Sequence, residues 1–295
     1  MYYSPSGKMP TWGIFVLLFF VLIAFPLISV VYTYAVWYIP YVYVKLILTV
    51  GFGLAMAFII NKGVKFGKIR NPKLVKWVVI IGALAAIYIH WCLYTSLLLN
   101  AGESHEFGSI RHGYNYTETT FSGNIFLGLL LNPKIVFEII GSLLNSGSFS
   151  IFGFTPKGFL LGIIWFIEFI IIFGVPYLMG DQANEPFSEI KNSWMAIEGL
   201  EGKSNYFSDI EKTKKEIEDG DISSLLNADF SVNMTEKFST MKIYSSEGDP
   251  NIFLTVTNIT KTEDNSGKEK TSEDIVIQKV AISEQKLKDL KEIYS

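Results

Sequence analysis

Residues 12–38 read WGIFVLLFFVLIAFPLISVVYTYAVWY, an apolar run without a single charge. As a helix the run is roughly 40 Å long, against about 30 Å for the hydrocarbon core of a bilayer. It is expected to span a membrane and to be retained as an anchor, because a signal peptide has a shorter apolar core and a small-residue cleavage site. Pro26 predicts a kink, since its ring nitrogen cannot donate the hydrogen bond that a helix interior requires.

Working outward, residues 41–60 form a second apolar span, and the very short link Tyr38-Ile39-Pro40 makes the first two spans an antiparallel hairpin. Residues 77–99 and 158–178 supply a third and a fourth span. Trp12, Trp37, Tyr38, Tyr41 and Trp77 fall at the ends of these runs, where amphipathic rings sit at headgroup level. The expected fold is an α-helical polytopic membrane protein of about four transmembrane helices with a short interfacial or re-entrant helix, followed by a small α+β soluble domain.

Charge divides the chain at the same place. Residues 1–180 carry eleven Lys or Arg and five acids, whereas residues 181–295 carry fourteen Lys and twenty-three acids. The expected domains are therefore a transmembrane domain over 1–180 and an acidic domain over 181–295. Lys62, Lys65, Lys68, Arg70, Lys73 and Lys76 follow the second span with no acid among them, so the positive-inside rule makes this connection cytoplasmic and a contact for anionic headgroups. Both termini and the acidic domain then face the cytoplasm, and the long connection 100–157 lies outside.

Residues 123–144 are apolar enough to compete as a fifth span. Against this, Asn132-Pro133 has the form of an N-cap followed by Pro at the first helical position, which starts a helix in mid-run. Lys134 and Glu138 would also lie at membrane depth. A short helix over 133–145 at the outer interface, or dipping in and returning, is the expectation.

His90 and Glu168 are ionisable groups within spans, where such groups are candidates for function. They lie nine and ten residues from the outer ends of antiparallel spans, roughly 14 and 15 Å at the helical rise, so the two can meet. The functional reading is a proton-titrating or ligand-coordinating carboxylate with an imidazole partner; the structural reading is a buried hydrogen bond locking two helices. Lys45, near the end of its span, is read as a snorkelling residue. Gly51, Gly53, Ala55 and Ala57 on the second span, with Gly82 and Ala86 on the third, have the small-xxx-small spacing of packing faces, with homo-oligomerisation as the alternative use. In the outer connection Glu103, His105, Glu106 and His112 match no metal-site spacing and are read as a solvated loop. Asn115-Tyr116-Thr117 is a glycosylation acceptor only in a eukaryotic host.

In the acidic domain, residues 181–202 and 208–218 are expected to be helical. Residues 237–245, 251–260 and 274–283 are β-rich and predict a three-stranded antiparallel meander, with turns at 247–250 and 261–273. A terminal helix from Ser283 to Tyr294 places Leu287 and Leu290 over one sheet face. This domain has no histidine, no cysteine, no phosphate-binding glycine loop and no nucleophile elbow. The lone Cys92 rules out an intramolecular disulfide.

These features point to a non-enzymatic integral membrane component of a bacterial inner membrane that anchors a cytoplasmic partner-binding domain, within a larger envelope or secretion assembly. The alternative is a transporter or proton-coupled channel subunit using the Glu168 and His90 pair. Membrane lipids and a protein are the expected partners; no nucleic acid, metal or cofactor is expected, since the basic connection is short and the other exposed region is acidic.

Overall fold

A computed structural model describes residues 1–39, 41–107, 114–148, 154–200, 202–226, 236–263 and 269–294, with backbone alone for residue 42 and residues 102–107 and 114–119. His112, the Pro40 link and the tip of the 261–273 turn lie outside the described residues, as do the side chains of Glu103, His105, Glu106 and Asn115. The chain divides into two compact units, one comprising Met9–Ala183 and the other Met1–Lys8 with Asn184–Ser295. Residues 1–8 therefore belong with the C-terminal unit and not, as the expected division had it, with the helices.

In the helical unit, α1 (Thr11–Phe19) passes through a π-helical turn (Phe20–Ala24) into α2 (Phe25–Tyr38). The turn lies just before Pro26, which has no N–H for the carbonyl four residues earlier, and a wider turn relieves that mismatch. Next come α3 (Val42–Gly67) and α4 (Pro72–Leu99). Both run past the expected ends, so the basic connection is not a loop over 62–76. Lys62 and Lys65 lie on α3, Lys73 and Lys76 on α4, and only a tight turn separates the helices. Lys68 closes α3 in the left-handed region at φ 49°. Asn71 opens α4, accepting the Leu74 N–H at 3.0 Å through its side chain, with Pro72 in the first turn.

Beyond α4 the expected outer loop contains a backbone-paired hairpin, β1 (Ala101–Phe107) with β2 (Tyr114–Thr119), in antiparallel register Phe107↔Tyr114. The 123–144 run breaks into α5 (Gly123–Leu131) and α6 (Pro133–Ser146), bent by 100°. The break falls at Asn132-Pro133, but the side chain of Asn132 does not cap α6; it donates to the Gly128 carbonyl at 2.7 Å, closing α5. The last helix of the unit is α7 (Phe159–Met179). Thr11–Tyr38, Tyr43–Gly67, Pro72–Leu99 and the helix beginning at Phe159 are the four helical stretches among the described residues long and apolar enough to cross a membrane.

The direction of α7 relates the ends of α4 and α7. Along α3 and α7, Lys45 meets Glu168, Gly53 meets Val175, and Asn61 meets Met179, in the same order on both helices. The two are parallel, so α4 ends and α7 begins at the same end of the bundle, and α5 and α6 lie on the connection between them. Tyr88 on α4 holds the bend by donating to the carbonyls of Leu129 at 3.2 Å and Leu130 at 3.0 Å in the last turn of α5, where Leu129 also accepts the Asn132 N–H at 3.1 Å. Apolar side chains of α5 and α6 pack on Cys92, Tyr88 and Trp91, while Lys134 and Glu138 face outward.

After α7 a single 3₁₀ turn (Gln182–Asn184) ends the helical unit, and the second unit begins with β3 (Phe187–Ser188), β4 (Ser193–Trp194) and β5 (Ala196–Gly199). The helix expected over 181–202 does not form: Pro186 cannot donate within it, and its carbonyl instead accepts the Met195 N–H at 3.0 Å. Helices α8 (Ile210–Glu218) and α9 (Ser223–Leu226) precede strands β6 (Lys237–Ser245), β7 (Ile252–Glu263) and β8 (Glu269–Ile282), and α10 (Glu284–Tyr294) ends the chain. The expected meander is present, but β5 adds to it, giving a four-stranded antiparallel sheet in the order β5-β6-β7-β8.

One sheet face, with Met241, Ile243, Leu254, Val256, Ile277 and Val280, is covered by α8, α9 and α10, with Leu290 fully buried and Leu287 beside it. At the other face Tyr3 meets Phe253 edge-on at 5.1 Å, alongside Met195 and Tyr244. The first residues extend the sheet at β8 through Tyr3 N–H to Lys279 O at 2.9 Å and Ala281 N–H to Met1 O at 2.8 Å. Tyr2 donates to Glu218, and burial together with that carboxylate pushes its pKa up to about 12.

Candidate functional site

The helical unit buries polar groups at its centre. Lys45 Nζ and Glu168 Oε1 are 2.8 Å apart, and both side chains are largely buried, at 14% and 12% exposure. Lys45 thus turns inward to α7, where the sequence reading had it snorkel outward. An inward carboxylate within reach makes the difference: a buried ammonium is tolerated only when paired and hydrogen-bonded.

His90 and Glu168 are not joined by a hydrogen bond. His90 Nδ1 instead meets Thr33 Oγ1 of α2 at 2.9 Å, and the Thr33 hydroxyl also donates to the Ser29 carbonyl at 2.7 Å. With Thr33 donating to Ser29, the hydroxyl hydrogen is committed, so Nδ1 carries the proton toward Thr33 and Nε2 is the ring's acceptor. Tyr32, one residue away, meets Thr49 Oγ1 at 2.9 Å and stacks on Phe52 with centroids 4.6 Å apart. The Tyr32 ring also lies 4.8 Å from His90. Thr49 donates in turn to the Lys45 carbonyl at 2.8 Å, so α2, α3, α4 and α7 converge on one polar cluster.

What unites His90 and Glu168 is a shared cavity of about 410 Å³ between α4, α6 and α7. Trp91 and Trp165 meet edge-to-face at 4.9 Å in its wall, which Ile87, Ile140 and Phe169 continue. A concave apolar chamber of this size with a few convergent polar groups has the character of a small-molecule site. It can hold a molecule by shape and by hydrogen bonds at one end. The cavity itself escaped sequence reading, because α6 contributes Val136, Phe137 and Ile140 from a segment with no ionisable group aimed inward.

The small residues sort into distinct roles. A Cβ on Gly53 would stand 2.9 Å from Val175 Cβ, and one on Gly82 would stand 2.8 Å from Phe25, so both permit close helix approach. Ala57 and Ala86 are buried and Ala55 is half-buried. Gly51 packs on no other helix of the chain: it is exposed, and nothing lies within 4 Å of a Cβ placed there. The tightest approach was missed altogether. A Cβ on Gly13 would fall 2.1 Å from the Gly67 carbonyl oxygen, where α1 crosses α3. Gly63 and Gly67, four residues apart, carry the spacing that signals it.

Among the basic residues, Arg70 is buried and donates to the Lys68 carbonyl at 2.7 Å, holding the α3–α4 turn. Lys62 lies over the Phe58 ring and Lys76 over the Tyr177 ring, at 5.2 and 4.9 Å. Asn61 closes α7 by donating to Met179 O at 2.8 Å and accepting from Gln182 N–H at 3.1 Å.

Neither a protein-family model, a curated protein nor a solved structure matches this chain.

Proposed function

We propose that this chain is a multi-pass membrane protein whose four-helix unit anchors an acidic domain that docks a protein partner, without catalysing a reaction of its own. The observation that carries the membrane placement is an inverted polarity. The helical unit turns Phe15, Leu22, Val31, Ile47, Phe58 and Ile81 outward and keeps its Lys45–Glu168 pair inside. Four crossings put both flanking segments on one side, and the folding of Met1–Lys8 together with Asn184–Ser295 in one unit supports that parity. The Lys62–Lys76 basic cluster argues for the cytoplasmic side of a bacterial inner membrane.

Partner docking is supported by the edge strand β5, exposed throughout, by the exposed apolar Ile197 on it and by the exposed Ile190 between β3 and β4. Extraction of the tagged chain in mild detergent, with mass spectrometry of what co-purifies, tests it. A stoichiometric protein lost on Ile197→Asp is the expected result; a chain that comes out alone from native membrane would sink the docking reading.

A second reading, a transporter or proton-coupled channel subunit, draws on Glu168 and His90 lining one cavity. Labelling of Glu168 by a hydrophobic carbodiimide that rises as pH falls and is abolished by Glu168→Gln would favour it. Complete inertness would exclude it.

A further inference from the structure

We infer that the cavity between α4, α6 and α7 binds an uncharged, lipid-soluble amphiphile, seated with a hydroxyl or carbonyl head against Glu168 and His90 and its chain toward the bundle surface. The inference rests on the membrane placement proposed above and adds a ligand to it.

The first argument is access. The mouth is formed by Leu84, Phe137 and Phe166, which are 48%, 65% and 61% exposed on the outward face of the helices. In a bilayer that face meets acyl chains, so a molecule reaches the cavity from lipid and not from water. The second argument is depth. Glu168 lies nine residues into α7 and His90 nine residues from the end of α4, both roughly 14 Å from the same end of the bundle, against about 30 Å for a hydrocarbon core. A head seated there is near mid-membrane, where a fixed charge is strongly disfavoured.

The third argument is charge balance. Lys45 and Glu168 neutralise each other at 2.8 Å. A cationic ligand would have to take Glu168 from Lys45, and an anionic one would have to take Lys45 from Glu168, leaving a buried charge without its counter-ion in either case. An uncharged head asks for neither. A ligand hydroxyl can donate to His90 Nε2 or to a Glu168 oxygen and accept from neighbouring donors, while Nδ1 stays with Thr33. The remaining wall, with Ile87, Trp91, Ile140 and Trp165, is apolar and aromatic and suits a hydrocarbon chain. At about 410 Å³ the chamber falls in the range of small-molecule sites, enough for a head and the first part of a chain.

The test uses the full chain in phosphatidylcholine nanodiscs with a diazirine-bearing hexadecanol, photolysed and mapped by peptide mass spectrometry. Adducts should concentrate in residues 84–91, 137–140 and 165–169. Excess plain hexadecanol should remove them, whereas hexadecyltrimethylammonium or hexadecyl sulfate, which keep their charge in a bilayer, should not at the same concentration. Ile140→Phe, which fills the chamber, and Leu84→Trp, which narrows a half-exposed mouth and threatens folding less, should each cut labelling about tenfold. Adducts spread evenly over outward residues such as Phe15 and Ile47, or unmoved by either folded variant, would overturn the inference. Equal displacement by the cation or the anion would overturn it too. Release of the chain from native membranes by alkaline carbonate would instead defeat the membrane placement itself; a retained chain with no cavity labelling defeats only the ligand.

Discussion

The two units of this protein solve the same problem with opposite materials. The strand unit hides large aliphatic side chains between its sheet and α8 to α10 and leaves most of its charged groups outside, with Lys279, paired with Glu185, and Asp249 buried. The helical unit exposes many large apolar side chains, among them Phe15, Ile47 and Phe58, and beside buried Leu17, Phe25 and Met56 it encloses glycine, alanine, hydroxyl groups, an imidazole and an ion pair. In the first, burying hydrocarbon is the driving force; in the second, backbones that approach closely and polar groups that find partners must supply the cohesion. A single lost contact should therefore act differently in each.

The largest effect is expected at the ion pair. Glu168→Leu strands the Lys45 ammonium in the bundle and should cost about 3–5 kcal/mol, whereas Lys45→Met combined with Glu168→Leu should recover most of that loss. Unfolding of the detergent-solubilised chain measures both; equal loss in the single and double variants would mean that the pair is not a coupled unit. Next is Leu254→Ala, which opens a void in the fully buried sheet core and should cost about 3 kcal/mol of the strand unit's stability. The helical unit's transition should stay where it is. A shift of both transitions would show that the two units unfold together.

Polar networks sharpen the contrast. Asn258 in the strand unit accepts from Phe207 N–H at 3.2 Å, donates to Phe207 O at 2.8 Å and accepts from the Ser239 hydroxyl at 2.5 Å. Asn258→Leu should cost about 2 kcal/mol by leaving these groups unsatisfied, visible as a lower denaturant midpoint. Tyr88→Phe removes the hydroxyl that ties α4 to the Leu129 and Leu130 carbonyls, at about 1 kcal/mol, and hydrogen exchange should quicken at the α5–α6 bend before anywhere else.

The smallest effect is a pH dependence at Tyr2. Its phenol keeps its proton up to about pH 12, against an ordinary value of 10.0, so its contribution to stability is complete below about pH 10 and is lost as pH rises through 12. In Tyr2→Phe the alkaline decline of the strand unit should be shallower between those limits, followed by circular dichroism. An identical slope would show that the Tyr2–Glu218 contact adds nothing.

Much of this was legible in the chain itself. Hydropathy over residues 12–38, 41–60, 77–99 and 158–178 located four long helices, and Asn132-Pro133 marked the break between α5 and α6, because a ring without an N–H belongs in a first turn. Alternating β-branched residues located β6, β7 and β8. The helix expected over 181–202 failed at Pro186, whose local veto outweighed the helix-favouring residues around it. The long turn expected between β7 and β8 is shorter than its polar composition suggests, because backbone pairing continues through Glu263↔Glu269 regardless of side-chain polarity.

The candidate site divides in the same way. The sequence by itself determined that Lys45, His90 and Glu168 lie in apolar helices, since that follows from local composition. Only the tertiary structure decided that Lys45 pairs with Glu168, that His90 turns to Thr33, and that α6 folds back to complete a cavity around them. Composition along one helix sets which side chains need partners. Which partner each one finds depends on the rotation and direction of its neighbours, and those are set by close approaches such as Gly53 against Val175 and Gly13 against Gly67, between residues far apart in the chain.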